Sequence, residues 1–234
     1  MGAHRGRLLS ELRRQEIAVY DIAYDEGSVL DEHRHDRAYV SVVADGSYTE
    51  LRDGLPRRCA TGTAIYHAPG EVHADYFAAQ GRCVNFEIGA GTAFCPESLL
   101  GTVASTHPHY EPAVRDALAQ RTASEATHDA PAWLRVVLHE FNWIEPIPLE
   151  GASALAGLHP THFVRAFRRY AGMTPGGYRR RERVRAASSL LLHSSAPLSR
   201  IALACGFSDQ SHLTNVFREA TGVSPRSYRR AFAR

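Results

Sequence analysis

Lysine is missing from this 234-residue chain, so all 27 of its basic side chains are arginine. Methionine and tryptophan occur twice each, and cysteine four times, at Cys59, Cys83, Cys95 and Cys205 without a C-x-x-C pair. So few unpaired cysteines make reduced thiols in a cytoplasmic protein the expectation, with Cys205 a small core residue on the inward face of its helix. No stretch approaches membrane-spanning length, and MGAHRGRLLSELRRQE holds no apolar signal core, so no membrane partner is expected. Acidic residues are scarce in one half only. Residues 131–234 carry 15 Arg against 6 Asp plus Glu, a formal +9, whereas residues 1–130 carry 12 against 19, a formal −7. The near-neutral total hides this asymmetry, and a basic half beside an acidic one points to a polyanion partner. Arginine suits that role because its planar fork bridges two phosphate oxygens or the O6/N7 edge of guanine. The length fits one large or two small domains.

The most informative stretch is Pro197–Arg230. Leu198, Ile201, Ala202 and Cys205 follow the i, i+3, i+4, i+7 spacing of one helical face, and Gly206 ends that helix. Asp209 (or Ser208) is an N-cap for a second short helix that carries Leu213, Val216 and Phe217 inward. Two short helices about a glycine turn make a helix-turn-helix, and Gln210, Ser211, His212 and Asn215 are left outward on the second. An isolated helix with such a face would more often be merely solvated. Here the unit occurs twice: Pro148, Leu149 and Gly157 precede Pro197, Leu198 and Gly206 by 49 residues. Beyond the turn the offset is 50, matching His162, Phe167, Arg168, Gly172, Pro175, Tyr178, Arg179 and Arg180 with His212, Phe217, Arg218, Gly222, Pro225, Tyr228, Arg229 and Arg230. A repeat of this period marks one supersecondary unit used twice.

GFSDQSHLTNVFREATGVSPRSYRR resembles the signature of AraC/XylS-type transcription regulators, and the resemblance extends over roughly the last hundred residues. It implies a DNA-binding domain over 131–234. Pro131 to about Trp143 would be its opening helix, with Trp133, Leu134, Val137, Leu138 and Phe141 in the core. The recognition helix of the first unit would begin near His159-Pro160. Thr174–Ser194 would be a linker helix that holds two recognition helices about 34 Å apart, one turn of duplex. The family's base-contacting positions carry over to Thr161 and Arg165 in the first unit, where His162 is also outward and Arg168 and Arg169 lie near the backbone. In the second they are Gln210, Ser211, His212 and Asn215, and Arg218 is expected to bind DNA as well. Arg179 is expected to join them from the linker, where five arginines in seven residues, Arg179, Arg180, Arg181, Arg183 and Arg185, are too dense for one face. Some of those five would meet phosphates and the rest would be solvated. Val164 stands where relatives are often polar, and Asn215 where arginine is frequent, so base preference would shift there.

The remainder predicts an α+β chain, with a β-barrel or jelly roll over 1–93, a helical connection over 94–130, and then the helical domain. Residues 1–16 are expected as a short helix or loose arm. Candidate strands are Ile17–Tyr24, His33–Ala44, Ser47–Arg52, Thr63–Ala68, His73–Phe77 and Arg82–Ile88, with a tight turn at Asp45-Gly46. Candidate helices are Glu97–Ala104 and Pro112–Ala123, followed by a polar boundary at 122–130. In this family the 94–130 region holds dimerising helices, so a homodimer contact is expected there, against the alternative of an intramolecular packing face.

Gly27, His33-Arg34-His35, Gly46 and Pro69-Gly70-Glu71-Val72-His73 are similar to the two cupin motifs. In metal-binding cupins the spaced histidines, the later histidine and a glutamate hold a metal. Here the glutamate position falls near Tyr39. On a strand His33, His35, Arg37 and Tyr39 would share one face, and His73 would join them from another strand. Three imidazoles suit zinc, iron, copper or nickel. Cys83 would join only in a favourable register, because a hairpin over Ala78–Gly81 puts it on the face opposite His73. Alternatively the histidines line a polar effector pocket in which Arg37 and Tyr39 recognise an acidic or aromatic ligand. The resulting expectation is a DNA-binding, non-enzymatic regulator that senses a small molecule or a metal ion, its partners being double-stranded DNA and RNA polymerase. The competing readings are a metal-dependent cupin enzyme with a DNA-binding tail, and a DNA-alkyl repair switch. The first lacks its glutamate, and the second lacks a cysteine cluster.

Overall fold

The computed structural model describes residues 6–14, 16–89, 95–125, 131–145 and 148–233. The chain divides into two compact units that change over between Ser124 and Glu125. The expected border at 93/94, and most of the expected boundary at 122–130, lie outside the described residues.

In the first unit the strands are β1 (Arg7–Arg14), β2 (Ile17–Tyr24), β3 (Val29–Arg34), β4 (Tyr39–Asp45), β5 (Ser47–Arg52), β6 (Leu55–Ala60), β7 (Ala64–His67), β8 (Val72–Tyr76) and β9 (Gly81–Ile88). They form two antiparallel sheets, ordered β1-β2-β9-β4-β7 and β3-β8-β5-β6. Ile22, Tyr24, Val43, Ile65 and Cys83 of the first sheet pack with Leu30, Tyr48 and Cys59 of the second, so the sheets make a sandwich. Strands β2, β4 and β9 are apolar on both faces, and their other face needs a cover. Helices α1 (Pro96–Thr106) and α2 (Glu111–Glu125) supply it. Leu99, Val103, Val114 and Leu118 close on Ile17, Val19, Val40, Val42, Val84 and Phe86. The segment expected to carry a dimer contact therefore spends its apolar stripe within its own unit.

Four expectations need correction. Arg7–Arg14 is a strand, not a helix or loose arm; it is exposed throughout and held at the sheet edge by pairing with β2. Leu55–Ala60 is a strand despite Pro56, which an edge position tolerates. The single strand expected over His33–Ala44 is two strands in different sheets, because the chain bends at Asp36-Arg37. No hairpin joins β8 to β9: β8 pairs with β3 and β5, and β9 with β2 and β4, so the Ala78–Gly81 segment crosses between sheets.

The second unit is helical: α3 (Ala132–Glu140), α4 (Leu149–Leu155), α5 (Pro160–Ala171), α6 (Pro175–His193), α7 (Leu198–Ala204), α8 (Gln210–Thr221) and α9 (Pro225–Phe232). The internal repeat is visible atom by atom. Thr174 and Ser224 cap α6 and α9, accepting from Gly177 N at 3.2 Å and Ser227 N at 3.1 Å. Gly157 and Gly206 turn the chain at φ of 64° and 75°, and Gly172 and Gly222 do so after α5 and α8 at 71° and 84°. Each first turn is left-handed, the conformation glycine takes without cost. Phe163 and Phe167 fill the first core with Leu134, Val137 and Trp143. Leu213, Phe217 and Tyr228 are fully buried in the second half, as is Cys205.

Candidate functional site

In the second half of the helical unit, α7 and α8 flank the Gly206 turn, and Asp209 caps α8 by accepting from His212 N at 2.8 Å. That bond lowers the pKa of the Asp209 carboxyl from its ordinary value. In the first half α4 and α5 flank Gly157, and the cap is His159, whose Nδ1 accepts from Thr161 N at 3.4 Å. With Phe163 and Phe167, or Leu213 and Phe217, turned inward, the opposite face of each second helix is bare. Thr161, His162, Arg165, Arg168 and Arg169 are exposed on α5, and Gln210, Ser211, His212, Asn215 and Arg218 on α8. Each face thus offers exposed hydrogen-bonding groups and arginine, the chemistry suited to base edges and phosphates.

Several of the dense arginines of α6 also have partners within the helical unit. Arg180 pairs with Glu219 of α8, Arg185 with Glu182 at 3.2 Å, and Arg183 Nε donates to the Ile144 carbonyl at 3.0 Å. The Arg181 guanidinium lies 4.5 Å over the Tyr178 ring. Arg179 has its Nε buried in the domain, and its repeat partner Arg229 donates to the carbonyls of Leu191 and Ala196. Much of this positive charge binds the helical unit together.

The first unit holds a second candidate site. His33 on β3, His35 just beyond it and His73 on β8 bring one ligand atom each within 4.8 Å of one another. Ring centroids are 4.2 Å apart for His33 and His73, 5.1 Å for His33 and His35, and 5.6 Å for His35 and His73. The carbonyl of Asp31 lies 2.8 Å from His33 Nδ1; taken as an acceptor it sets the proton there and leaves Nε2 bare. Burial first, and then the neighbouring imidazoles, push His73 down to about 2, so this ring is neutral at physiological pH. Its Nδ1 is buried without a hydrogen-bond partner among the described residues, and its Nε2 lies 3.0 Å from the Tyr39 hydroxyl. One buried imidazole beside two half-buried ones, with a nitrogen of each converging, is a donor set a divalent transition ion takes.

A cavity of about 30 Å³ opens beside them, lined from the five-stranded sheet by Tyr24, Tyr39, Ser41, Cys83 and Asn85. Leu30, Tyr48, Asp75 and Phe77 line it from the other side. Burial holds the Asp75 carboxyl well above the usual range, with nearby Glu50 adding to the shift. Burial likewise pushes the Cys83 thiol up to about 12.

Of the residues singled out from sequence, His33, His35, Tyr39 and His73 come together. Cys83 reaches the cavity from the other sheet without joining the histidine cluster. Arg37 does not continue the row, because the bend turns it away. Its guanidinium sits 3.1 Å from Glu87, and it does not line the cavity. The sequence reading missed His67 and Glu71, which form a second cluster with His73. His67 lies opposite Tyr39 in the β4/β7 register and stacks on it at 4.3 Å. Its Nδ1 is 3.0 Å from Glu71, which also accepts from Arg52 at 2.7 Å. Burial alone would raise the Glu71 carboxyl, but these two bonds bring it down to about 2. The signal was present: His67 shares the alternation of buried Ile65.

Residues 152–231 match the helix-turn-helix domain family. The chain is 37% identical over 98 residues to the transcriptional activator RhaS of Escherichia fergusonii, covering 42% of this chain and 34% of RhaS. It is 46% identical over 63 residues to RhaR of Cronobacter sakazakii, covering 27% of this chain and 22% of RhaR. It thus spans about a third or less of the length of the curated relatives it matches. Among solved structures, the DNA-binding domain of AdpA in complex with a target DNA is similar, at 31% identity and a TM-score of 0.40. That match covers 42% of this chain and 91% of the AdpA domain.

Proposed function

We propose that this chain, whose C-terminal half belongs to the AraC-type helix-turn-helix family, is a sequence-specific transcription regulator whose cupin-like first unit senses a metal ion or a small effector. The observation that carries the reading is the duplicated unit: two capped helices, each baring a polar face, with three arginines on α5 and one on α8, repeated at an offset of 49 to 50 residues. Thr161 and Arg165 on α5, and Gln210, Ser211, His212 and Asn215 on α8, address base edges. Arg168, Arg169 and Arg218 address phosphates, with Arg179 contributing from the linker helix. Double-stranded DNA is the direct partner, and RNA polymerase the partner through which binding acts. Among the described residues no helix is long and apolar enough to cross a membrane.

In the first unit His33, His35 and His73 would hold a divalent transition ion, zinc being the simplest. The burial and neutrality of His73 support that fit. The ion would supply an occupancy signal and an anchor for an oxygen or nitrogen donor of an effector. Tyr39 fixes His73, while Glu71 and Arg52 fix His67 behind it. Selection of bound duplexes from random DNA by the full chain, with and without added zinc, tests both parts. A recovered consensus is expected, more strongly enriched in one metal condition. Recovery of random sequence in both would remove the regulator reading.

A further inference from the structure

The two recognition helices carry histidines at equivalent places, His162 and His212, and only one of the two is pinned. His212 is the third residue of α8, following Gln210 and Ser211. Its Nδ1 lies 3.3 Å from the backbone nitrogen of Ser208 and 3.0 Å from the Ser208 hydroxyl. That hydroxyl can also donate to Asp209 Oδ2, at 3.2 Å. The Phe207 ring meets the imidazole edge to face, at 5.4 Å and 89°. A backbone N–H only donates, so the ring nitrogen that meets it must be the bare one. The proton of the neutral ring then resides on Nε2, at the other rim of an exposed side chain. In the first unit Leu158 stands where Ser208 stands in the second, so His162 has no such hydroxyl to meet, and the cap is itself a histidine.

We propose that His212 is a specificity-determining residue which offers one preset Nε2–H donor to an acceptor on a base edge in the major groove, and that Ser208 is the positioning residue that presets it. This rests on the reading of the chain as a DNA-binding regulator. A base edge is favoured over a phosphate because N-terminal residues of a recognition helix are the ones that reach into the groove, and His212 stands there beside exposed Gln210 and Ser211. A lone donor can donate to guanine N7 or O6, adenine N7 or thymine O4, and finds no acceptor at the amino edge of cytosine. Because the ring is held before DNA arrives, its orientation is not purchased at binding.

The test uses the full chain and the tightest duplex recovered from random DNA. Nitrogen NMR of the free chain at about pH 8, above the ordinary titration range of histidine, reads the tautomer directly. Nδ1 bare and Nε2 protonated is expected, and the reverse overturns the proposal. In titrations, His212→Gln keeps a donor near the Nε2 position and should bind within about threefold of the parent. His212→Asn and His212→Ala should lose about tenfold, a typical cost of one base contact, with random-DNA binding unchanged. Substituting each base pair in turn should find one whose change weakens the parent about tenfold and leaves His212→Ala unaffected. Ser208→Pro withdraws the N–H and should reproduce the His212→Ala pattern. If that variant does not fold, the nitrogen spectrum still decides the presetting. Coupling to a methylphosphonate instead of a base pair, or an unchanged affinity in His212→Ala, overturns the proposal while leaving the regulator reading in place. Failure to recover any preferred duplex removes both.

Discussion

The carbonyl oxygen of Ile144 occupies the place where a side chain would begin at Gly206, the turn residue of the second helix-turn-helix unit. Arg183 holds that carbonyl from α6. The matching Gly157 has nearly the same backbone twist but nothing within 4 Å of the same point. One sequence position in the repeat therefore has two different tolerances. Gly157→Ala should cost only the left-handed penalty, about 1–2 kcal/mol. Gly206→Ala adds a backbone collision and should cost about 3 kcal/mol or more. Urea melts followed by far-ultraviolet circular dichroism would separate them, and equal losses would refute the buttress.

Metal occupancy should register as stability. An ion present at a hundred times its dissociation constant stabilises a protein by about 2.7 kcal/mol. Zinc or cobalt added to chelator-treated chain should therefore raise the melting temperature of the first unit by several degrees. His73→Ala should abolish the rise, and His139→Ala, at an exposed position on α3, should leave it intact. No rise in the parent at millimolar metal would leave the cavity to an effector alone.

On DNA, Arg165 and Arg168 should behave differently. Arg165→Ala is expected to weaken binding to the selected duplex by about 1–3 kcal/mol and to relax one base position. Arg168→Ala should weaken selected and random duplexes alike and reduce the salt slope by about one. Mobility shifts at two salt concentrations read both quantities. Equal loss on random DNA would reassign Arg165 to the backbone.

Thiol chemistry should find one reactive cysteine. Burial pushes Cys59 and Cys83 up to about 12 and Cys205 up to about 11, whereas Cys95 is exposed. At pH 8 an aromatic disulfide reagent should titrate one thiol quickly and the other three only in denaturant. The sign for stability follows. Above the ordinary thiol value of about 9 the unfolded chain releases protons that the native chain keeps, so stability falls as pH rises from there toward 11 to 12. A second fast thiol in the native chain would contradict the buried assignments.

The helical half was readable because its signals are local. The cap at Asp209, the start of the linker helix at Thr174, turns at Gly157 and Gly206, and apolar stripes ending in Phe167 and Phe217 all declare themselves within a few residues. The strands Ile17–Tyr24 and Ser47–Arg52 were marked as short runs between turn residues, although neither buries one face alone. What escaped was set by pairing at a distance. RLLSELRR buries neither face, so no period marks it as a strand; it is held by β2 alone. The bend at Asp36-Arg37 moved Arg37 to Glu87, and His67 entered the site from a strand paired to Tyr39, a proximity that adjacent residues do not reveal. The α6 arginines were expected to divide between phosphates and solvent, and charge density alone cannot distinguish an outward guanidinium from one stacked on Tyr178 or bonded to Ile144.

Tyr39 and His73 reach each other from opposite leaves of the sandwich, and the cavity beside them takes its walls from both. Whatever settles there acts as a rivet between two plates that already meet through an apolar layer and through the His67–Glu50 and Arg52–Tyr66 contacts. Arrival of the guest would then be announced as a stiffening of the first unit, with little change of outline, and slowed amide exchange along β4 and β8 is where that stiffening would be seen.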